Sequence, residues 1–167
     1  MFTAAVVTVS DSCAQGTRED ISGIKLAEAL TQLGFHVTER RTIPDDEEKI
    51  SICLRELASV VRLIVTTGGT GIAARDVTPE ATRRVCDRIL DGFAELMRTE
   101  GLKQTPFAAL SRAVSGSRGS TLIINVPGNP QGAVASLKAV AHLLPHALDL
   151  LAGKTEHRHA NAKFTRP

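Results

Sequence analysis

The residues of this chain whose types and spacing suit chemistry fall in a few short stretches. One is Thr66-Thr67-Gly68-Gly69-Thr70-Gly71, where closely spaced glycines free the backbone to turn sharply and aim N–H groups at an anion, phosphate above all. A plain turn after a strand would use the same glycines. No Gly-Lys-Ser/Thr follows, so the stretch is not a Walker-type loop. Gly69-x-Gly71-x-x-Ala74 matches a relaxed dinucleotide fingerprint. That motif, however, opens a helix directly and is answered by an acid about 20 residues on, whereas here the helix is expected only from Thr78.

Arg75-Asp76 follows the glycines. An arginine can neutralise phosphate charge and an aspartate beside phosphates can hold Mg²⁺, although a local Arg–Asp ion pair would explain the same two residues. Ile43-Pro44-Asp45-Asp46 places two acids after a rigid turn. Asp46 suits a helix cap, which leaves Asp45 without a structural duty and able to bind a divalent metal or orient a nucleophile together with Asp76. Ser10-Asp11-Ser12 offers short polar groups for a substrate or for a turn backbone, and Asp20 suits the cap of the next helix. Pro127-Gly128-Asn129-Pro130 is a rigid turn into a helix whose N-terminus can receive an anion, or only a tight turn and a cap.

Each stretch follows a predicted strand. Residues 3–10 form a β-branched run, after which Leu26, Leu30 and Leu33 recur at helical spacing until Gly34. Residues 35–43 read as a second strand ended by Pro44, followed by a helix marked by Ile50, Leu54, Leu57 and Val61. The uninterrupted apolar runs 63–67 and 122–126 suit strands covered on both faces. Thr78 as N-cap, Pro79 and Glu80 predict a helix running to about residue 90, and 92–102 predicts another. The chain then reads as irregular until a strand at 121–125. A final helix follows Pro130, its face formed by Val134, Leu137, Ala141, Leu144 and Leu148 and its path disturbed by Pro145. Its apolar surface is broader than a surface helix needs, which predicts a central position or a subunit contact.

The alternation of strand and helix points to a three-layer α/β/α sandwich with a mainly parallel, mixed sheet, whose ligands should bind outside the carboxyl ends of the strands. With 167 residues and no dividing linker, residues 1–153 are expected to form one domain and 154–167 a flexible polar tail. His157 and His159 in that tail read as solvated rather than ligating. Cys13, Cys53 and Cys86 form no C-x-x-C pair and read as reduced thiols, Cys53 and Cys86 within helical patterns and Cys13 in a loop. A net charge of +2 with 3% aromatics, no Trp and no Tyr gives neither a basic stripe nor a stacking platform, so nucleic acid is not an expected partner. Residues 1–10 show no targeting pattern, and no segment is read as approaching the ~18 apolar residues of a membrane span, which predicts a cytoplasmic protein.

Together the glycine stretch, Arg75-Asp76-Val77-Thr78-Pro79-Glu80-Ala81 and Pro127-Gly128-Asn129-Pro130 resemble the signature of the MoaB/Mog family. Thr105-Pro106-Phe107-Ala108, Leu110-Ser111-Arg112 and the stretch 118–125 extend the similarity over residues 7 to about 153. The chain is also similar to the N-terminal domain of gephyrin and its plant counterpart. The resemblance implies a molybdopterin adenylyltransferase that moves AMP from Mg-ATP to the terminal phosphate of molybdopterin, giving adenylyl-molybdopterin and pyrophosphate. It also implies a homotrimer and a separate molybdenum-insertion protein or domain.

Carried over residue by residue, Asp45 and Asp76 match the acids of the adenylylation site, acting through Mg²⁺. Ser111, with Arg112 beside it, matches the pterin side. Gly68, Gly69, Thr70 and Gly71 would hold phosphates with Arg75, while Pro127, Gly128, Asn129 and Pro130 border the pocket with Ser10 and Asp11. Asp45→Ala or Asp76→Ala should lower turnover and leave the fold nearly intact. Two other readings stand beside this one: a pterin-binding carrier or scaffold that has lost catalysis, against which the acids argue, and a nucleotide-processing hydrolase, against which the absence of a further domain argues.

Overall fold

The computed structural model describes residues 1–154; the stretch 155–167, with His157 and His159, lies outside the described residues. Six strands make one sheet: β1 (Thr3–Val9), β2 (His36–Ile43), β3 (Leu63–Thr67), β4 (Arg88–Ile89), β5 (Ser115–Arg118) and β6 (Thr121–Val126), in the order β2-β1-β3-β6-β5-β4. The first four strands in that order run parallel, and β5 pairs antiparallel with both β6 and β4. The helices are α1 (Asp11–Ala14), α2 (Ile21–Gln32), α3 (Glu47–Ala58), α4 (Thr78–Val85), α5 (Asp91–Leu102), α6 (Pro130–Val140) and α7 (Leu144–Leu151).

Side chains alternate across each strand, so the apolar strands feed two cores. Ala4, Val6, Leu63, Val65, Leu122 and Ile124 pack against α2, α5, α6 and α7 on one face. Ala5, Val7, Val9, Ile64 and Ile123 pack against α3 and α4 on the other. These are the three expected layers. Edge strand β2 carries Glu39, Arg40 and Arg41, charges that discourage pairing with a further strand. The chain leaves β1 along one face through α2 and leaves β2 along the other through α3. The carboxyl ends of β1 and β3 therefore bound a crevice at a switch point of the sheet.

Several local expectations need correction. Thr78 is the first residue of α4 rather than its cap, because its hydroxyl donates to Gly68 O (2.9 Å) and so ties the helix to the glycine loop. That helix stops at Val85, not near residue 90: Cys86 is extended, and Arg88–Ile89 joins the sheet as β4. Cys86 thus closes α4 instead of sitting within it, and Cys13 lies in the single turn of α1 rather than in a loop. The supposedly irregular stretch before β6 contains a 3-10 turn, Pro106–Leu110, and strand β5, whose Ser-Gly-Ser-Arg sequence carries no apolar signal.

The last helix is disturbed where Pro145 requires it. A 3-10 turn, Ala141–Leu143, separates α6 from α7, since proline can make no hydrogen bond back to the preceding turn. The combined stretch Pro130–Leu151 has 22 residues and a mean hydropathy of 1.2, long and apolar enough by those measures to cross a membrane, contrary to the sequence expectation. Ala133, Leu137, Val140, Leu144 and Leu148 are nonetheless buried in the core beside the sheet.

Candidate functional site

The carboxyl edge of β1, β2, β3 and β6 gathers the four polar loops. Asp20 and Asp46 cap α2 and α3 as expected, accepting from Gly23 N (2.8 Å) and Lys49 N (2.9 Å). Asn129 caps α6, its Oδ1 accepting from Gln131 N and Gly132 N at 2.9 and 3.1 Å. Ser10 caps α1 through Cys13 N (3.3 Å) and meets the Ser12 hydroxyl at 3.1 Å.

Asp45 has a structural duty that its sequence does not announce. Asp11 N donates to Asp45 Oδ2 (2.9 Å), and Asp45 N donates to Asp11 Oδ1 (3.0 Å), so the loops after β1 and β2 are cross-tied. Arg75 does not pair with its neighbour Asp76. It bridges to Asp11, with Nη2 at 2.9 Å from Oδ1 and 2.7 Å from Oδ2. Burial pushes the Asp45 carboxyl above the usual range, and the nearby Asp11 and Asp76 carboxylates add to this against the Asp11 N–H bond and Arg75. Asp76 Oδ2 accepts from Ala73 N (2.9 Å), which fixes its carboxylate inside its own loop.

The glycines between these acids are sterically required at two positions. Gly68 has φ +96°, and a Cβ there would lie 2.2 Å from Val9 O. Gly69 has φ +63°, and a Cβ there would meet Thr78 Oγ1 at 2.4 Å and Asp45 Oδ1 at 3.1 Å. The loop backbone is therefore pressed between the first strand, the start of α4 and the Asp45 carboxylate. Gly128 brings the β6 loop against Gly68, and Thr67 Oγ1 donates to Pro127 O at 2.7 Å, which joins the second glycine turn to the first.

Arg112 closes the arrangement from the far side. Its Nε donates to Gly71 O (2.7 Å), its Nη2 to Asp76 O (2.6 Å), and its Nη1 pairs with the Glu80 carboxylate. That pairing holds the Glu80 carboxyl below its ordinary value. Beneath the loops, Asn125 donates to Thr66 Oγ1 and Thr82 Oγ1 (both 2.9 Å) and accepts from Val114 N (3.1 Å), a buried network that locks β3, β6 and α4 together.

Two clefts meet across this framework. The larger, about 460 Å³, is lined mainly by apolar groups, including Ala94, Met97, Phe107 and Leu110, with Ser111, Thr70 and Gly71 at its polar side. The smaller, about 370 Å³, is polar and lined by Ser10, Arg18, Asp20, Asp45, Gly68 and Pro130 among others. Gly69, Asp76, Gly128 and Asn129 border both clefts, and Pro127 borders the larger. Asp11 and Arg75 line neither and instead hold one another; Arg112 borders a third cavity behind the loop.

Sequence reasoning missed Arg18 as a wall of the smaller cleft and Phe107 as a wall of the larger. An arginine two residues before the Asp20 cap and an aromatic residue directly after Pro106 were the signals available. It also missed the Asn125 network, although an asparagine inside an apolar strand calls for buried partners.

A family model described as a probable molybdopterin binding domain matches residues 5–146. The molybdopterin adenylyltransferase of Helicobacter pylori J99 is 41% identical over 155 residues, 89% of this chain and 86% of that protein. The molybdopterin adenylyltransferase of Escherichia coli K12 is 41% identical over 140 residues, 81% of this chain and 71% of that protein. Among solved structures, the molybdopterin biosynthesis enzyme MoaB of Thermus thermophilus superposes with a TM-score of 0.87 at 49% identity, covering 92% of this chain and 98% of that one.

Proposed function

The chain belongs to the family of probable molybdopterin binding domains, and from that premise we propose that it is a molybdopterin adenylyltransferase of molybdenum cofactor biosynthesis, transferring AMP from ATP to the terminal phosphate of molybdopterin. The observation that carries the reading is the meeting of two clefts at Gly69 and Asp76. A transfer between two bound substrates needs two adjoining sites with a shared border at which the reacting groups face each other. The larger, apolar cleft suits the flat pterin, with Ser111 at its polar side. The smaller, polar cleft suits the nucleotide phosphates.

Molybdopterin's terminal phosphate is ionised at neutral pH and needs no strong base. One of its oxygens forms a bond to the α-phosphorus of ATP, the bond from that phosphorus to the bridging oxygen breaks, and pyrophosphate departs. The protein's part is alignment and charge control. The N–H groups of Gly69, Thr70 and Gly71 are the loop donors left for the anions, since Gly68 N donates to Val126 O (3.3 Å) and the α6 N–H groups behind Pro127, Gly128, Asn129 and Pro130 are capped by Asn129. Arg75 is held by Asp11 outside both clefts, while Ser10 and Arg18 line the phosphate cleft.

Asp45 and Asp76 have the chemistry to hold Mg²⁺. Both are oxygen donors on the smaller cleft, and the burial that, with the nearby carboxylates, raises the Asp45 carboxyl favours neutralisation by a bound cation as it favours a proton. No group of three or more metal-ligating side chains occurs among the described residues, which suits an ion that arrives with the nucleotide and takes its remaining ligands from phosphate and water. Such an ion would neutralise charge developing on the phosphates.

Leu143 (37% exposed) and Leu150 (44% exposed) leave apolar surface on the 141–151 stretch, which supports its use as a subunit contact in a homotrimer. We place the protein in the cytoplasm, passing its product to a molybdenum-insertion protein. A carrier that only binds the pterin is the second reading, and Asp45 and Asp76 on one cleft favour the enzyme. Measuring pyrophosphate release separates them: it should require both molybdopterin and ATP, and tight pterin binding with no pyrophosphate would leave the carrier.

A further inference from the structure

Arg112 joins the wall of the larger cleft to Asp76, which borders both clefts. Its backbone N donates to Thr70 O (2.8 Å), while its guanidinium reaches Gly71 O, Asp76 O and the Glu80 carboxylate. One side chain thus fixes both ends of the loop that carries Asp76. The preceding residue, Ser111, lines the larger cleft with Thr70 and Gly71, and Asp76 borders both clefts, so Arg112 ties the pterin wall to the aspartate that the two clefts share.

We propose that Arg112 is a positioning residue, held in orientation by Glu80, which sets the alignment of the two clefts for transfer. The inference rests on the transferase reading above. Donors directed at protein carbonyls and a carboxylate distinguish this arginine from one that grips a phosphate. A planar fork is needed to serve acceptors on separate parts of the loop at once, and a lysine, with a single ammonium, cannot reproduce it. Glu80 lies in the first turn of α4, where the helix dipole favours a carboxylate, so the guanidinium is anchored to a rigid element rather than to another loop.

A residue that aligns bound reactants acts on kcat, whereas one that contacts a substrate in both ground and transition states acts on KM. In Arg112→Lys, kcat should fall by about 10- to 100-fold, while KM for molybdopterin and for ATP and the Kd of molybdopterin stay within about threefold of the wild type. Glu80→Gln should show the same pattern with a smaller loss, and the double variant should be no worse than Arg112→Lys alone, because both changes break one unit. A raised KM at unchanged kcat in Arg112→Lys would show direct substrate contact and overturn the proposal. So would an unchanged kcat in either variant, and Glu80→Gln decides alone if Arg112→Lys does not fold. The wild type is assayed first: failure to transfer AMP there would remove the transferase reading itself, before any variant is compared.

Discussion

Asp11 and Asp45 exchange hydrogen bonds across the ends of β1 and β2, each backbone N–H donating to the other's carboxylate at 2.9 and 3.0 Å. The acid proposed to act in the transfer is thereby built into the frame of its own cleft. Asp45→Asn keeps an oxygen able to accept from Asp11 N and removes the charge. It should fold as stably as the wild type while losing turnover by at least about 100-fold. Asp45→Ala should lose turnover and also about 0.5–1.5 kcal/mol of stability, since the Asp11 N–H loses its partner. The expectation that alanine leaves the fold nearly intact therefore holds better for Asn. Steady-state rates and denaturant midpoints of the two variants check this.

The acids also set a pH dependence. Burial and the neighbouring carboxylates raise the Asp45 carboxyl above its ordinary value, so kcat/KM should climb with pH through a transition above the usual aspartate range and then level off. For stability the sign is opposite. The raised group favours the folded state below its unfolded pKa, and that contribution is lost as pH rises through the folded value. Glu80, lowered by Arg112, works the other way: its contribution is present above its unfolded pKa and lost as pH falls through the folded one. A pH–rate profile in which Asp45→Asn keeps the wild-type acid limb would contradict this assignment.

Gly68→Ala should be poorly tolerated for a backbone reason. A side chain at φ +96° costs about 1–3 kcal/mol in strain, and its Cβ would stand 2.2 Å from Val9 O, which forces the loop off β1. Both the melting temperature and turnover should drop. A variant as active and stable as the wild type would show that the loop can relax without harm to the site.

Asn125→Leu should weaken the fold beneath the larger cleft. It leaves Val114 N without its acceptor and the Thr66 and Thr82 hydroxyls without their donor, at about 1–3 kcal/mol for each buried group that finds no replacement. Chemical denaturation should show a lower midpoint. An unchanged midpoint would mean that other partners take over.

The parts of the fold and site that could be read in the sequence are those with local causes. Apolar runs such as 63–67, the leucine spacing of α2, the caps Asp20 and Asp46, and the glycine and proline turns all act within a few residues, so they could be placed after the right strands. What escaped depends on distant partners. Arg75 reaches Asp11 rather than Asp76, Thr78 bonds Gly68 O instead of capping, and Arg112 acts on a loop some forty positions earlier (Gly71 is 41 residues away). Strands β4 and β5 were missed because Arg88–Ile89 is too short to carry periodicity and Ser115–Arg118 is polar, its strand character supplied by pairing with β6. The loops that border the two clefts were legible; the ties between those loops were not.

The central claim is tested most directly by incubating the purified full chain with molybdopterin, Mg²⁺ and ATP labelled at the α-phosphate, and separating the pterin products. The account predicts label on the pterin together with pyrophosphate, with neither formed when Asp76 is replaced by Asn. Molybdopterin bound to the protein but free of label, with ATP intact, would contradict it.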